Sequence, residues 1–239
     1  MSRVDVVFGA GGPTGRVCVE RLLSLGGTVR AVVRSPEKYA DVFRAHANLE
    51  VVRGDVTDKE SVKSCLKGAQ GVIFAVSAAK YFDTKTVDNE SVGTVAACSK
   101  EAGVERVVLI SSALATRKNR FKPLRIVLNK IRWKLMDHKF QGEEKLRNSG
   151  VKYTVIRPGH LTDKPMGGSI LRTVQGDKTS SGDISVSRSN VAVVCCAALT
   201  DPKTENRTFE LFSKDSDTCP SVDQQLLSLF DNLEAGHDQ

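Results

Sequence analysis

Residues that mark metal centres and disulfide frameworks are scarce in this sequence. Its 239 residues include only four histidines and six cysteines, with no Cys-x-x-Cys pair and no histidine and cysteine spacing typical of a metal site. We therefore expect no metal centre, and we expect free, mostly buried thiols, as in a protein of a reducing compartment.

Long apolar runs are also missing. No stretch approaches the length of a transmembrane helix, and the N-terminal residues lack the charged and then apolar layout of a secretory signal. We expect a cytoplasmic protein, or one of an organelle stroma if a transit peptide has been removed. The net charge of +7 favours anionic ligands or surfaces, but it does not distinguish among a nucleotide, a nucleic acid and a lipid.

Short β-branched runs alternate with helical patterns along the whole chain. Strands are predicted at Val4–Phe8, Thr28–Val33, Leu49–Arg53, Gly71–Val76, Arg106–Ser111, Tyr153–Arg157 and Phe209–Phe212, and helices near residues 13–25, 57–66, 87–103, 139–149, 190–199 and 222–233, the second opened by a Thr57 and Glu60 capping box. This alternation predicts an α/β fold with a doubly wound, mostly parallel sheet.

A glycine-rich loop, "GAGGPTG", follows the first strand and opens the first helix. Gly9 permits a tight turn, Gly12 lets backbone N–H groups approach a pyrophosphate, and Gly15 allows close packing of helix on strand. Pro13 and Thr14 begin the helix, whose N-terminus attracts anions. The pattern predicts dinucleotide binding, against the alternative of an ordinary strand-to-helix turn.

The residue at the end of the second strand discriminates between the two nicotinamide dinucleotides. An NAD site usually places Asp or Glu there for the ribose 2′-hydroxyl, whereas this chain has Arg34 and Ser35. A guanidinium suits a 2′-phosphate, so we expect NADP(H), unless Arg34 is simply a solvated strand end.

Further cofactor contacts are expected at the ends of the next two strands. Asp55 and Val56 follow the third strand, and Asp55 either accepts a hydrogen bond from the adenine amino group or caps its own loop. Ala75, Val76 and Ser77 follow the fourth strand and form a small, smooth stretch over which a cofactor could lie.

Taken in order, several motifs resemble the NmrA-like branch of the atypical short-chain dehydrogenase/reductase family. They are "GAGGPTG" at 9–15, "VVR" at 32–34, "GDVTD" at 54–58, "VVLISSA" at 107–113, "EEKLRNSGVKYTVIRPGHL" at 143–161 and "ISVSRSNVA" at 184–192. The second half is similar to flavin reductases, biliverdin-IXβ reductases and chloroplast NADP-binding proteins. The resemblance implies a single NAD(P)-binding Rossmann domain over residues 1–234, with a small C-terminal substrate-side region, a basic helical insertion at 117–139 and a flexible tail at 235–239.

The same resemblance implies a nicotinamide pocket and a departure from the family's chemistry. It places Ser112 beside the nicotinamide, lines the pocket with Pro158, Gly159 and His160, and puts His138 or Lys139 near the ribose. Ser112 and His160 are the candidate catalytic residues. Family members that reduce carbonyls use a Tyr-x-x-x-Lys pair on this helix, but Leu135 stands four residues before Lys139. The Tyr81 to Lys85 spacing follows the fourth strand instead and is interpreted as coincidental.

A basic segment without carboxylates runs from Arg117 to Lys134. It contains eight Lys or Arg residues, the only tryptophan, and Leu124, Val127, Leu128, Ile131 and Leu135 at helical spacing. Two interpretations stay open: an element that binds an anionic membrane surface or an acidic protein, or a lid whose apolar face packs on the domain. Nucleic acid is not expected, because no aromatic platform accompanies the charges.

Two functions are consistent with these observations. The first is an NADPH-dependent reductase that passes hydride to a conjugated small-molecule acceptor such as a flavin, a quinone or a tetrapyrrole-like compound. The second is a non-catalytic NADP(H)-binding sensor or scaffold that docks through its basic segment. The missing tyrosine leaves open whether the protein is an enzyme.

Overall fold

The sheet grows outward from the first strand in both directions. The computed structural model describes residues 3–43, 46–178 and 185–235. Its strands are β1 Val4–Phe8, β2 Thr28–Val33, β3 Leu49–Arg53, β4 Gly71–Phe74, β5 Arg106–Ile110, β6 Tyr153–Pro158, β7 His160–Thr162, β8 Ser169–Val174, β9 Ser185–Ser187 and β10 Arg207–Asp215. Eight form one sheet in the order β3-β2-β1-β4-β5-β6-β10-β8, and β7 pairs with β9.

The helices cover both faces of that sheet, as the sequence predicts for a doubly wound fold. They are α1 Pro13–Ser24, α2 Lys59–Cys65, α3 Ser91–Glu101, α4 Pro123–Ile131, α5 Leu135–Arg147, α6 Arg188–Ala198 and α7 Val222–Leu229. One apolar core lies under α1 and α6, and a second lies under α2, α3 and α5. Because both faces are covered, β4 and β6 are buried along their whole length.

Several predicted boundaries are wrong in detail. The cap of α2 is Asp58, whose side chain accepts from the backbone N–H groups of Glu60 and Ser61, so the Thr57 capping box does not form. Thr57 instead donates its hydroxyl to Asp55. The helix expected near residue 139 begins earlier, at Leu135.

The C-terminal region has more strands than its sequence pattern predicts. The patterns missed β7, β8 and β9, which are short or paired outside the parallel core; β8 runs antiparallel to β10. The predicted tail at 235–239 lies, apart from Ala235, outside the described residues, as does Ile184 of the last motif.

The basic segment folds as a short turn followed by a separate helix. A 3-10 turn at Arg117–Asn119 precedes α4. Lys134, with φ of 49°, has a left-handed backbone conformation that separates helix α4 from helix α5. Within α4 the buried residue is Arg125, while Leu124, Ile126, Val127 and Ile131 are exposed. Of the five apolar residues at helical spacing, Leu128 is half-buried and Leu135 is buried, so the alternative in which this apolar face packs on the domain does not hold for Leu124, Val127 and Ile131.

All six cysteines are free, and five of them are buried, in agreement with the sequence analysis. Across residues 3–43, 46–178 and 185–235, no helix is both long enough and apolar enough to cross a membrane. Within the same ranges, no group of His, Cys, Asp and Glu side chains is arranged to hold a metal ion.

Candidate functional site

The glycine loop connects β1 to α1 in a turn that glycine alone fits well. Gly9 has φ of +81°, and Gly12 donates its N–H to the Gly9 carbonyl at 2.9 Å. A Cβ on Gly15 would lie 2.1 Å from that carbonyl oxygen. Gly12 caps α1 without any side-chain hydrogen bond, so the first N–H groups of the helix keep their capacity to bind an anion.

A cavity of about 790 Å³ opens beside this loop at the carboxyl ends of β1 to β4. Its size suits a small-molecule or cofactor site. Residues of four kinds line it: the glycine loop (Gly9, Gly11, Gly12), the end of β2 and the turn after it (Val33, Arg34, Ser35, Lys38, Tyr39), the loop after β3 (Gly54, Asp55, Val56, Thr57), and the segment after β4 (Ala75 to Lys80) with Asp83, Thr86 and Val87. The predicted residues Gly9, Gly12, Arg34, Asp55, Val56, Ala75, Val76 and Ser77 all lie in this lining, and Pro13, Thr14 and Gly15 form the first turn of α1.

The end of the cavity near β2 is basic. Arg34 and Ser35 follow β2 directly, and the 3-10 turn Pro36–Tyr39 brings Lys38 to the same wall. The Tyr39 ring covers Gly11, where an added Cβ would lie 2.3 Å from the phenol ring. Two cations and a hydroxyl therefore flank the glycine loop, which is a donor set that fits a phosphate.

Asp55 lies in the loop after β3 and is fastened there. Its Oδ1 accepts from the Thr57 N–H at 2.9 Å and from the Thr57 hydroxyl at 2.7 Å. The Asp55 backbone N–H donates to the Ser61 hydroxyl. The carboxylate thus caps its loop, which was one of the two alternatives, while the residue also lines the cavity.

At the other end of the cavity, Lys139 is tied to the loop after β4 through Asp88. Lys139 Nζ lies 2.9 Å from Asp88 Oδ1, and both side chains are almost fully buried. Asp88 also accepts from the Ser77 hydroxyl and from the Ala78 N–H. Lys139 reaches a small hollow that it shares with Val76 and Ser111. His138, the alternative near the ribose, is buried and contacts Gln141.

The remaining predicted residues lie at the ends of β5 and β6. Ser112 is the second residue after β5, and its hydroxyl donates to the Ala113 carbonyl at 3.0 Å. Ala113 N–H donates to the Pro158 carbonyl, and Gly159 N–H donates to the Leu211 carbonyl. His160 is exposed in β7. Among the described residues no hydrogen bond joins Ser112 to His160, and neither residue lines the large cavity.

A buried ionic network holds the strand ends beneath Ser112. Arg157 donates to Glu143 through Nε at 3.0 Å and Nη2 at 2.6 Å, and to Glu210 through Nη1 at 3.1 Å. Arg147 and the Ser111 hydroxyl also donate to Glu143. Burial alone would raise the pKa of Glu143, but the charges and hydrogen bonds of the two arginines outweigh it and hold that pKa below its usual range.

Among the residues that the structure describes, no tyrosine takes the place of the missing tyrosine on α5. Leu135 is buried at the start of that helix. Tyr81 packs its ring against Phe82 and Trp133 on the surface, and Lys85 pairs with Glu90 instead of with Tyr81. The interpretation of the Tyr81 to Lys85 spacing as coincidental agrees with these contacts.

The sequence analysis missed Lys38, Tyr39 and Asp88. A second cation four residues after Arg34 was a visible signal for Lys38. Tyr39 and Asp88 gave no signal of their own, because each acquires its place through contacts with a segment distant in sequence, Gly11 and Lys139 respectively.

Comparison with known proteins agrees with this geometry. Residues 9–202 match the family described as NAD(P)H-binding. The chain belongs to that family. It is 36% identical over 217 residues to an uncharacterized chloroplastic protein of Arabidopsis thaliana, an alignment that covers 87% of this chain and 76% of the relative.

Solved structures share the fold at low sequence identity. The oxidoreductase ylbE of Lactococcus lactis aligns with a TM-score of 0.79 and 17% identity, covering 98% of this chain and 100% of that one. ChuY, an anaerobillin reductase of Escherichia coli O157:H7, aligns with a TM-score of 0.73 and 22% identity, covering 91% and 100%. These likenesses establish the α/β fold.

Proposed function

We propose that the protein is an NADPH-dependent oxidoreductase that transfers hydride to a conjugated acceptor such as a flavin, a quinone or a tetrapyrrole. The observation that carries this proposal is the basic wall formed by Arg34, Ser35 and Lys38 beside the glycine loop. A 2′-phosphate on the adenosine ribose would meet two cations and a hydroxyl there, whereas a bare 2′-hydroxyl would leave both cations without an anionic partner.

The residues of the cavity suit the rest of the cofactor. The uncapped start of α1 and the N–H groups of the glycine loop would hold the pyrophosphate. Lys139 and Ser77, joined through Asp88, would position the nicotinamide ribose at the other end. The reduced nicotinamide supplies hydride, and the protein supplies orientation.

The class of acceptor follows from the missing phenol. Carbonyl reduction needs a proton on the new alcohol oxygen, and Leu135 stands where the family usually places the tyrosine that gives it. A conjugated acceptor takes hydride at one atom and delocalises the electron pair, so its proton can come from water. Hydride transfer to such an acceptor requires positioning more than acid catalysis.

Absorbance of NADPH at its reduced-nicotinamide band tests this proposal directly. The protein should oxidise NADPH in the presence of at least one acceptor from a panel of flavins, quinones and biliverdins, and more slowly with NADH. Oxidation supported by simple aldehydes or ketones alone would contradict the acceptor class.

Replacement of Arg34 tests the cofactor preference. Arg34→Ala should weaken NADPH binding roughly ten- to a hundredfold and leave NADH nearly unchanged, because one charge-assisted phosphate contact contributes about 1.5–3 kcal/mol. Titration calorimetry of both cofactors measures the effect, and Lys38→Ala should act in the same direction. Lys67→Ala, an exposed lysine away from the cavity, is the control. Equal affinities of the unmutated protein for NADPH and NADH would end the proposal of NADP preference.

A second candidate is a non-catalytic NADP(H)-binding sensor or scaffold. The observation that favours it is the exposed apolar and basic surface around α4, which has no use in hydride transfer. Tight NADPH binding without oxidation by any acceptor of the panel would favour the sensor over the reductase.

We also propose that the protein works in a plastid. Support comes from the Arabidopsis thaliana relative, which is described as chloroplastic. Fractionation of cells that express the complete natural gene with a C-terminal tag would test the compartment, with recovery outside plastids as the contrary result.

A further inference from the structure

The helix α4 is attached to the domain by its polar residues. Arg125 is buried and donates to the backbone carbonyls of Leu114 and Ala115 at 2.8 and 3.1 Å, and to Asp137 at 2.8 Å. Asn129 accepts from the Met136 N–H and donates to Asp137. These contacts place Arg125 and Asn129 on the inner side of the helix.

All the large apolar residues of the same helix except the half-buried Leu128 are exposed to water. Leu124, Val127 and Ile131 are 51%, 47% and 63% exposed, and their spacing puts them on one face. Phe121, just before the helix, is 77% exposed. A surface helix normally buries its apolar stripe, whereas in this helix Leu124, Val127 and Ile131 point to solvent and Arg125 and Asn129 point to the domain. We call the exposed residues Phe121, Leu124, Ile126, Val127, Ile131 and Trp133 the α4 surface.

Basic side chains frame the α4 surface. Lys118 and Arg120 precede the helix, Lys130 lies within it, and Lys134 follows it, while no Asp or Glu occurs from residue 117 to 134. Apolar side chains surrounded by cations match the headgroup region of an anionic bilayer, where the apolar groups enter the acyl boundary and the cations meet lipid phosphates. Trp133 suits the same depth, because indole favours the membrane interface.

Charge argues against a second copy of this chain as the partner. A two-fold interface would bring the same patch of each subunit together, and the cations around the α4 surface would face each other. We propose that the α4 surface docks the protein on an anionic membrane surface.

The position of the α4 surface connects docking to the cofactor cavity. The Arg132 side chain, next to Ile131, donates to the Ala78 carbonyl at 2.7 Å, and the backbone N–H of Trp133 donates to the Tyr81 carbonyl. Ala78 lines the cavity, as does Lys80 beside Tyr81. Phe82, 76% exposed, extends the apolar surface from this loop. Docking would therefore bring the loop at one end of the cavity to the membrane.

Vesicle binding of the full chain tests the proposal. Vesicles of phosphatidylcholine with phosphatidylglycerol should pull down the protein, and vesicles of phosphatidylcholine alone should not. Binding should weaken with salt, since the screening length falls from about 10 Å at 0.1 M to about 3 Å at 1 M. Trp133 is the only tryptophan, so its fluorescence reports this site alone. Its emission should shift to the blue with the anionic vesicles, and brominated lipid should quench it.

Matched variants separate the α4 surface from net charge and hydrophobicity. The triple change Lys118→Gln, Arg120→Gln and Lys130→Gln should reduce vesicle binding roughly ten- to a hundredfold. The triple change Lys67→Gln, Lys100→Gln and Lys214→Gln removes the same charge from other exposed sites and should have little effect.

The apolar residues have their own pair of variants. Leu124→Ser, Val127→Ser and Ile131→Ser together should abolish the fluorescence shift while leaving the melting temperature unchanged, because these side chains are exposed. Leu25→Ser, Ile170→Ser and Leu227→Ser, also exposed, form the control.

Three results would overturn the proposal. The first is equal binding to neutral and anionic vesicles, and the second is vesicle binding without any change in Trp133 emission. The third is an unmutated protein that does not bind vesicles but forms a concentration-dependent dimer, when the triple-serine variant no longer forms that dimer. Binding to polyglutamate but not to vesicles would assign the surface to an acidic protein instead.

Discussion

Ser112 and His160 are the residues for which the sequence predicts a part in the reaction, and the structure places them at neighbouring strand ends without a direct bond. If the acceptor takes its proton from water, neither side chain is indispensable. Ser112→Ala and His160→Ala should each lower turnover with the best acceptor about tenfold, whereas loss of a general acid costs about 10²–10⁴-fold. Steady-state kinetics with NADPH and that acceptor measure both.

Tyr81→Phe is the control for this prediction. Tyr81 contacts Phe82 and Trp133 rather than a lysine, so turnover should remain unchanged. A collapse of activity in Tyr81→Phe would favour acid-assisted carbonyl reduction and contradict the interpretation of the Tyr81 to Lys85 spacing as coincidental. Lys139→Ala should act mainly on NADPH affinity, because it removes the cation that holds Asp88 and the loop after β4.

How far single residues could be predicted depends on whether their roles are local. Gly9, Gly15 and Arg34 are recognisable because the strand-to-helix turn and the strand end fix their places by sequence position. Asp88 and Tyr39 were not recognisable, since their partners come from other segments and only the packing of α5 or of the glycine loop brings them together.

At the scale of elements, the periodicity of α4 predicted the helix but not the way it faces. Apolar spacing says which residues share a face, and the ordinary use of such a face is burial. Here the buried carbonyls of Leu114 and Ala115 select Arg125 as the inner residue, since a guanidinium can satisfy both. The sequence could not show that the backbone carbonyls of Leu114 and Ala115 would accept hydrogen bonds from a side chain of α4.

Removal of Asp137 should loosen α4 without unfolding the domain. Asp137 pairs with Arg125 and Asn129, and it is partly exposed, so Asp137→Ala should destabilise the local structure by about 1.5–3 kcal/mol. Hydrogen exchange followed by mass spectrometry should show faster exchange in residues 117–134 and unchanged exchange in β1, β4 and β5.

The exposed Ile131 offers the matched control. Ile131→Ser changes the outer face of the same helix and should leave exchange across it unaltered. Unchanged exchange in Asp137→Ala would mean that other contacts hold α4.

At the scale of the whole molecule, the network around Glu143 joins helix α5 to the neighbouring strands β6 and β10. Glu143 on α5 binds Arg157 of β6, Arg157 binds Glu210 of β10, and Glu210 accepts the N–H of Asp177. Asp177 in turn accepts from Leu114 and Thr116. This series of contacts therefore connects helix α5 to Leu114 and Thr116, which directly precede the basic segment. Nothing in sequence spacing predicts it, because every link joins distant segments.

This network should make the fold sensitive to acid. The pKa of Glu143 in the folded protein lies below the ordinary value of 4.5, so the unfolded chain binds its proton first as the pH falls. The stability contributed by this carboxylate is present above pH 4.5 and is lost progressively below it. Glu143→Gln should lower the free energy of unfolding at neutral pH by about 3–5 kcal/mol, since it leaves Arg157 buried with one carboxylate fewer.

The same variant should flatten the loss of stability between neutral and acidic pH. Urea unfolding at a series of pH values measures both effects, and Glu20→Gln, an exposed carboxylate on α1, is the control that should follow the unmutated protein. Because Glu143→Gln no longer carries the group whose proton uptake opposes folding, its curve should approach that of the unmutated protein as the pH falls below 4.5. Parallel curves for the two proteins would show that the acid sensitivity arises from other carboxylates.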